Sequence, residues 1–168
     1  MHHPDPPTPA TTLRSALRPG DLGAVLTLHG ALYGREHGFD HRFEAYVAVP
    51  LAQLALAHSP RERIWLAERG DRLVGCIAIA AASAEVAQLR WFVVDPVARG
   101  TGLGRRLIGE AIAFARAQGY RSIVLWTVDR LHAAAHLYRG AGFAKTEEQA
   151  GSPWGVSLVE EKYELFLD

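Results

Sequence analysis

Three glycines in five residues, Gly100, Gly102 and Gly104, follow the apolar run 85–94 and open directly into an amphipathic segment. A strand turning through such a loop into a helix aims several backbone N–H groups along the positive end of the helix dipole. That is a ready phosphate site, and glycine lets a phosphate approach the backbone closely. Two nucleotide loops are excluded by spacing. A Walker loop ends in Lys-Ser/Thr, where this chain has Arg105 and Arg106, and a Rossmann fingerprint begun at Gly100 or Gly102 needs a small residue where Arg105 or Leu107 stands. Metal chemistry is the competing idea, because His132 and His136 share one helix face and His37 and His41 repeat that spacing. A zincin helix, however, places glutamate where Ala133 stands, and no third ligand is evident, so no metal is expected. The single cysteine, Cys76, lies in the apolar run 74–82 and reads as a small buried hydrophobe.

The loop needs a framework. Residues 12–18 read as a first strand, closed by Pro19-Gly20, and Asp21 is placed to cap a helix carrying Leu22, Val25, Leu26, His29 and Leu32 at helical spacing. A second helix follows 40–42, with Phe43, Tyr46, Val47, Leu51, Leu54 and Ala55 as its stripe and Pro50 expected to kink or split it. Runs 64–69 and 73–81 form a hairpin about Gly70-Asp71, and 85–94 is a further strand. Beyond the loop come a helix stopped by Gly119, a strand at 122–128, a short helix at 131–141 and two strands at 143–149 and 156–167. The order β-α-α-β-β-β-α-β-α-β-β predicts one α/β domain over 12–168, a mixed central sheet with helices on both faces. Residues 1–11, with four prolines, read as a disordered arm.

Composition narrows the function. The chain has 168 residues, enough for one domain, with 18 Lys and Arg against 18 Asp and Glu. A nucleic-acid binder normally carries a basic excess, so no nucleic-acid partner is expected. No apolar run approaches the roughly 18 residues of a membrane span, and the N-terminus lacks a signal pattern, so the expected home is the cytoplasm.

Two motifs together carry a family resemblance. Arg99-x-x-Gly102-x-Gly104, between strand and helix, resembles the acetyl-CoA loop of the Gcn5-related N-acetyltransferase (GNAT) superfamily. Downstream, the run from Ala134 through His136, Leu137, Tyr138 and Gly142 to Phe143 is similar to that family's second signature. The likeness covers roughly 12–168. A narrower similarity, in 28–39, 89–96 and 125–127, is to the acetyltransferase half of bacterial MarR-type regulator–acetyltransferase fusions, without the DNA-binding module.

This resemblance implies a GNAT fold and an acetyl-CoA-dependent N-acetyltransferase that works by direct transfer in a ternary complex. Phe92, Val93 and Val94 would lie along the pantetheine and acetyl carbonyl, and the amides of Arg99, Gly100, Thr101, Gly102, Leu103, Gly104 and Arg105 would hold the pyrophosphate. Tyr138 would be the general acid toward the CoA thiolate, since a phenol with pKa near 10 stays protonated at pH 7. The proton leaving the amine has Glu36, His37 and Glu85 as candidate acceptors, Glu36 being the expected one, and a relaying water would need none. Many relatives carry an asparagine where Leu131 stands; Asp129 could replace that tie, although helix capping is its plainer role. Tyr33, Phe39, Phe43, Trp126 and Trp154, beside Glu36, Asp40, Glu44 and Glu85, suit a small amine with some apolar surface. The rival readings are a catalytically inactive CoA-binding sensor or interaction module, and a regulatory partner docking through a surface helix. A homodimer through the C-terminal strands is open.

Overall fold

The computed structural model describes residues 7–168; most of the expected N-terminal arm, residues 1–6, lies outside them. In chain order the elements are β1 (Thr11–Arg14), α1 (Asp21–His37), α2 (His41–Ala57), β2 (Arg63–Arg69), β3 (Arg72–Ala81) and β4 (Val86–Val94). A 3-10 turn over Pro96–Ala98 then leads to α3 (Leu103–Ala117), β5 (Ser122–Val128), α4 (His132–Gly140), β6 (Ala144–Gly151) and β7 (Leu158–Phe166). The strands form one sheet of order β1-β2-β3-β4-β5-β7-β6, antiparallel except at β4–β5. This is the mixed sheet with helices on both faces expected from the sequence.

Two apolar layers fix the helices. Leu103, Leu107, Ile108, Ala111, Phe114 and Ala115 of α3 pack with Ile77, Ile79 and Ile123 on one face. Val25, Leu32, Phe43, Val47 and Leu51 of α1 and α2 pack with Ile64, Leu66 and Cys76 on the other. The inner strands are covered on both sides, which explains why β2 and β3 read as continuous apolar runs without alternation.

Local expectations fail where a tertiary partner intervenes. β1 ends at Arg14, short of the expected 18, because Arg14 turns to a pair of carboxylates, Asp21 and Glu68. Asp21 is therefore the first helical residue and not the cap; Gly20 occupies that position. α2 runs unbroken through Pro50, held by its buried Phe43–Val47–Leu51 stripe, and Tyr46 leaves that stripe, 44% exposed. Asp129 does not cap α4: its carboxylate accepts from the Val159 amide at 3.1 Å, tying the end of β5 to β7.

The Arg14 cluster yields a stability prediction. Hydrogen bonding to Arg14 holds both the Asp21 and Glu68 carboxyls below their ordinary values. Their contribution is complete above the unfolded values near pH 4 and is lost as pH falls through the folded ones. Replacing Arg14 by alanine leaves two part-buried carboxylates unpaired and is expected to cost about 1–3 kcal/mol in urea unfolding at pH 7. The deficit should shrink toward pH 3; a deficit independent of pH would contradict the assignment.

Candidate functional site

β4 is where the sheet opens. It pairs with β5 only over Val86–Gln88 and Ser122–Val124, after which the two strands diverge. A bulge accompanies the opening: Cys76 faces Val93 while Ala78 faces Arg90, so β4 holds one extra residue there. Trp91 takes the strain, with φ +50, and its carbonyl accepts from the Cys76 thiol at 3.1 Å. The bulge reverses the pleat. Ala87 and Leu89 face the α3 layer, whereas Trp91 and Val93 face the α1–α2 layer. Phe92 and Val94 are thereby turned toward α3 and α4, along the opening.

Two cavities fill the divergence. The larger, about 740 Å3, is lined by Phe92, Val93, Val94, Arg99, Gly100, Gly102, Leu103, Gly104 and Arg105, together with Glu36 and His37 of α1 and Leu131, His132 and Leu137 around α4. Nine of the ten cofactor-loop residues expected from the sequence thus line one space. Thr101 is the exception; its hydroxyl donates to the Ala98 carbonyl at 2.6 Å. α3 starts without a side-chain cap, Gly102 standing at φ +83, and its first helical bond runs from Arg106 to the Gly102 carbonyl. The amides of Leu103, Gly104 and Arg105 therefore lack intrahelical partners beside the cavity, as an anion at a helix N-terminus requires. A Cβ on Gly104 would come within 2.9 Å of the Leu137 side chain and 3.3 Å of Phe92, so a larger residue there would require that wall to shift. These residues fit a CoA pyrophosphate and pantetheine arm.

Glu36 is engaged at the rim of this cavity. Both its carboxylate oxygens meet the Arg99 guanidinium at 2.9 Å, and this bonding holds the carboxyl below its usual range. Such a carboxylate is a weak proton acceptor, better suited to fixing the loop through Arg99. His37 is lowered by burial. Glu85 lies on the surface paired with Arg121, and neither cavity includes it. Glu36→Gln should weaken binding at the glycine loop several-fold in a titration with CoA. Its effect on unfolding stability at pH 7 should stay within about 1 kcal/mol, because the pair is partly exposed.

The smaller cavity, about 100 Å3, lies between β4 and β5 under α1 and α2. Tyr33, Phe39, Phe43, Trp126 and Trp154, the aromatics expected around an acceptor, all line it, as do Tyr138 and Phe92. Tyr33, Phe92 and Leu131 border both cavities, so the two spaces meet there. The Tyr33 hydroxyl donates to the Phe92 carbonyl at 3.3 Å. Tyr138 is buried, its ring packed near Phe92, Phe143 and Tyr163. Burial, and to a smaller degree the Tyr33 phenol, push its own phenol up, so it stays protonated across any ordinary assay range. Leu131 borders both cavities and offers each an apolar side chain only. Among the described residues no group of three His, Cys, Asp or Glu is arranged to hold a metal ion, and His132 and His136 are both exposed. Trp91, Thr127, Tyr46 and His29 also line this cavity, although the helical spacing of His29 and Tyr46 places them in the packing stripes; only the polarity of His29 and Thr127 sets them apart in the sequence.

A groove beside uncapped helix amides and an aromatic pocket thus share one wall. The model of the acetyltransferase (GNAT) family matches residues 27–143, and the chain belongs to that family. It is 32% identical over 124 residues to an uncharacterised N-acetyltransferase of Schizosaccharomyces pombe, covering 72% of this chain and 76% of that protein. It is 36% identical over 112 residues to the mycothiol acetyltransferase of Cellulomonas flavigena, covering 56% of this chain but only 32% of that protein. An acetyltransferase of Salmonella typhimurium, solved with its cofactor acetyl-CoA, superposes with a TM-score of 0.74 over 95% of each chain at 19% identity.

Proposed function

We propose that the protein transfers an acetyl group from acetyl-CoA directly to the primary amine of a small molecule, amino acid or peptide. The observation that carries this is the junction of the two cavities at Tyr33, Phe92 and Leu131. A donor in the groove and an acceptor in the pocket would meet without an enzyme-bound acetyl group. When bound, acetyl-CoA supplies a thioester whose carbonyl carbon takes the amine and whose C–S bond breaks.

The chain's residues divide the remaining work. The uncapped amides of Leu103, Gly104 and Arg105 hold the pyrophosphate, with Arg99 fixed by Glu36. The β4 backbone from Phe92 to Val94 orients the thioester, its free edge being the one that β5 leaves. Tyr138 holds a proton at its phenol oxygen for the departing sulfur. The amine's surplus proton passes to water, in preference to Glu36, whose bond to Arg99 disfavours protonation. Glu36 enters the scheme as the positioning partner of Arg99.

Release of free CoA from acetyl-CoA, followed across a panel of primary amines, tests the reading. Amine-dependent release supports it; acetyl-CoA binding with no release for any amine favours the inactive CoA-binding module. We propose further that the chain acts in the cytoplasm, which a lone, buried thiol suits. Kinship with MarR-fused acetyltransferases rests on the runs 28–39, 89–96 and 125–127. Pairing of two copies through β6 is supported by that strand's free outer edge, and sedimentation velocity would decide it.

A further inference from the structure

The smaller cavity contains three polar atoms that the protein leaves unsatisfied. His29 Nε2, Trp91 Nε1 and Thr127 Oγ1 are buried with no hydrogen-bond partner among the described residues, and all three residues line this cavity. Buried polar groups are almost always paired, so three orphans around one space point to a ligand that satisfies them. His29 is the most constrained. Its Nδ1 lies 2.8 Å from the Val25 carbonyl, which can only accept, so Nδ1 carries the hydrogen and Nε2 presents its lone pair. Its ring sits among those of Tyr33 (centroids 5.9 Å apart) and Phe43 (6.3 Å). It stands one helical turn before Tyr33, which lines both cavities.

The walls describe the rest of the occupant. Phe39, Phe43, Tyr46 and Trp154 form a contiguous ring cluster with neighbouring centroids 5.0–6.4 Å apart. The space, about 100 Å3, is smaller than the roughly 150 Å3 of an apolar cavity that binds benzene, so it takes one compact group, and the rest of an amine extends toward the junction with the larger cavity at Tyr33, Phe92 and Leu131. Its charged lining consists of Arg90 and Glu160, one of each sign. A polyamine site needs several carboxylates, and this one has a single acid offset by a guanidinium. Apolar walls also favour the neutral amine, the form that attacks a carbonyl.

We propose that this cavity is the subsite for a primary amine bearing one aromatic or similarly compact apolar group, and that His29 Nε2 accepts a hydrogen bond from that amine. The inference rests on the acetyltransferase reading above and specifies its acceptor. His29 positions the nucleophile and fixes which of its faces meets the donor groove; Trp91 and Thr127 serve a second polar group where the amine carries one.

The test uses phenethylamine as probe, with putrescine and glucosamine as contrasts, and the variants His29→Leu and His29→Gln. Phenethylamine should alter the emission of the cavity tryptophans, an activity-independent readout, and should be acetylated with kcat/KM at least tenfold above both contrasts. His29→Leu should lower that kcat/KM about tenfold, loss of one hydrogen bond to a buried partner, with acetyl-CoA affinity unchanged. His29→Gln, which keeps an acceptor near the Nε2 position, should recover much of it. A purely structural His29 predicts unchanged turnover of phenethylamine in both variants, with any effect confined to the melting temperature. Preference for putrescine or glucosamine, or acetyl-CoA binding without any response to phenethylamine, would overturn the inference and leave the cofactor reading standing. Failure to bind acetyl-CoA at all would overturn the reading beneath it.

Discussion

Replacement of Gly102 by glutamate is expected to abolish binding of acetyl-CoA, with a loss of affinity of at least 100-fold, or about 2.7 kcal/mol. Two effects combine. Gly102 adopts φ +83 at the mouth of α3, and a Cβ there meets no atom within 4 Å, so the side chain has free space beside the uncapped amides. A carboxylate in that position competes for the same N–H groups and repels the pyrophosphate. The left-handed backbone also costs a side chain about 1–2 kcal/mol of stability. Gly102→Ala carries that strain without the charge and separates the two effects. In thermal melts, acetyl-CoA should raise the midpoint of the native protein, raise that of Gly102→Ala less, and leave that of Gly102→Glu unmoved. An equal response in all three proteins would remove the loop from the binding site.

Tyr138→Phe should have the second largest effect, lowering kcat by about 100-fold or more while leaving acetyl-CoA affinity within twofold. The substitution keeps the ring that packs near Phe92, Phe143 and Tyr163 and deletes only the oxygen. Stability should therefore change by less than about 1 kcal/mol. Since burial keeps the native phenol protonated, the pH profile of the native protein should show no falling limb from Tyr138 below about pH 10. Steady-state rates of CoA release with a turned-over amine check both statements. A variant with undiminished kcat would reduce Tyr138 to a packing residue.

The parts of the site that depend on backbone chemistry were legible in the sequence. Gly102 stands at a left-handed helix start, a conformation that favours glycine, and Gly104 lies close to the Leu137 and Phe92 side chains, so the glycine spacing marks the turn that borders the larger cavity. The β4 bulge left no such mark. Ala87, Leu89, Trp91 and Val93 alternate as if all faced one layer, yet the extra residue at Trp91 sends the second pair to the opposite face. Tryptophan at positive φ has no compositional signal, because the strain is sustained by tertiary packing. Capping followed the same logic. Asp21 and Asp129 have the right chemistry for helix starts, but Arg14 and the Val159 amide, distant in sequence or across the sheet, claim them first. His29 shares its helical spacing with Val25 and Leu32, and spacing alone cannot distinguish a core position from one that faces a cavity.

The larger cavity is the proposed seat of acetyl-CoA. Isothermal titration of the native protein with acetyl-CoA at moderate salt measures this without any knowledge of the acceptor. One molecule bound per chain with a low-micromolar Kd, about 8 kcal/mol, is the expected result. Absence of binding under those conditions would contradict the assignment of the glycine loop, and with it the proposed transfer.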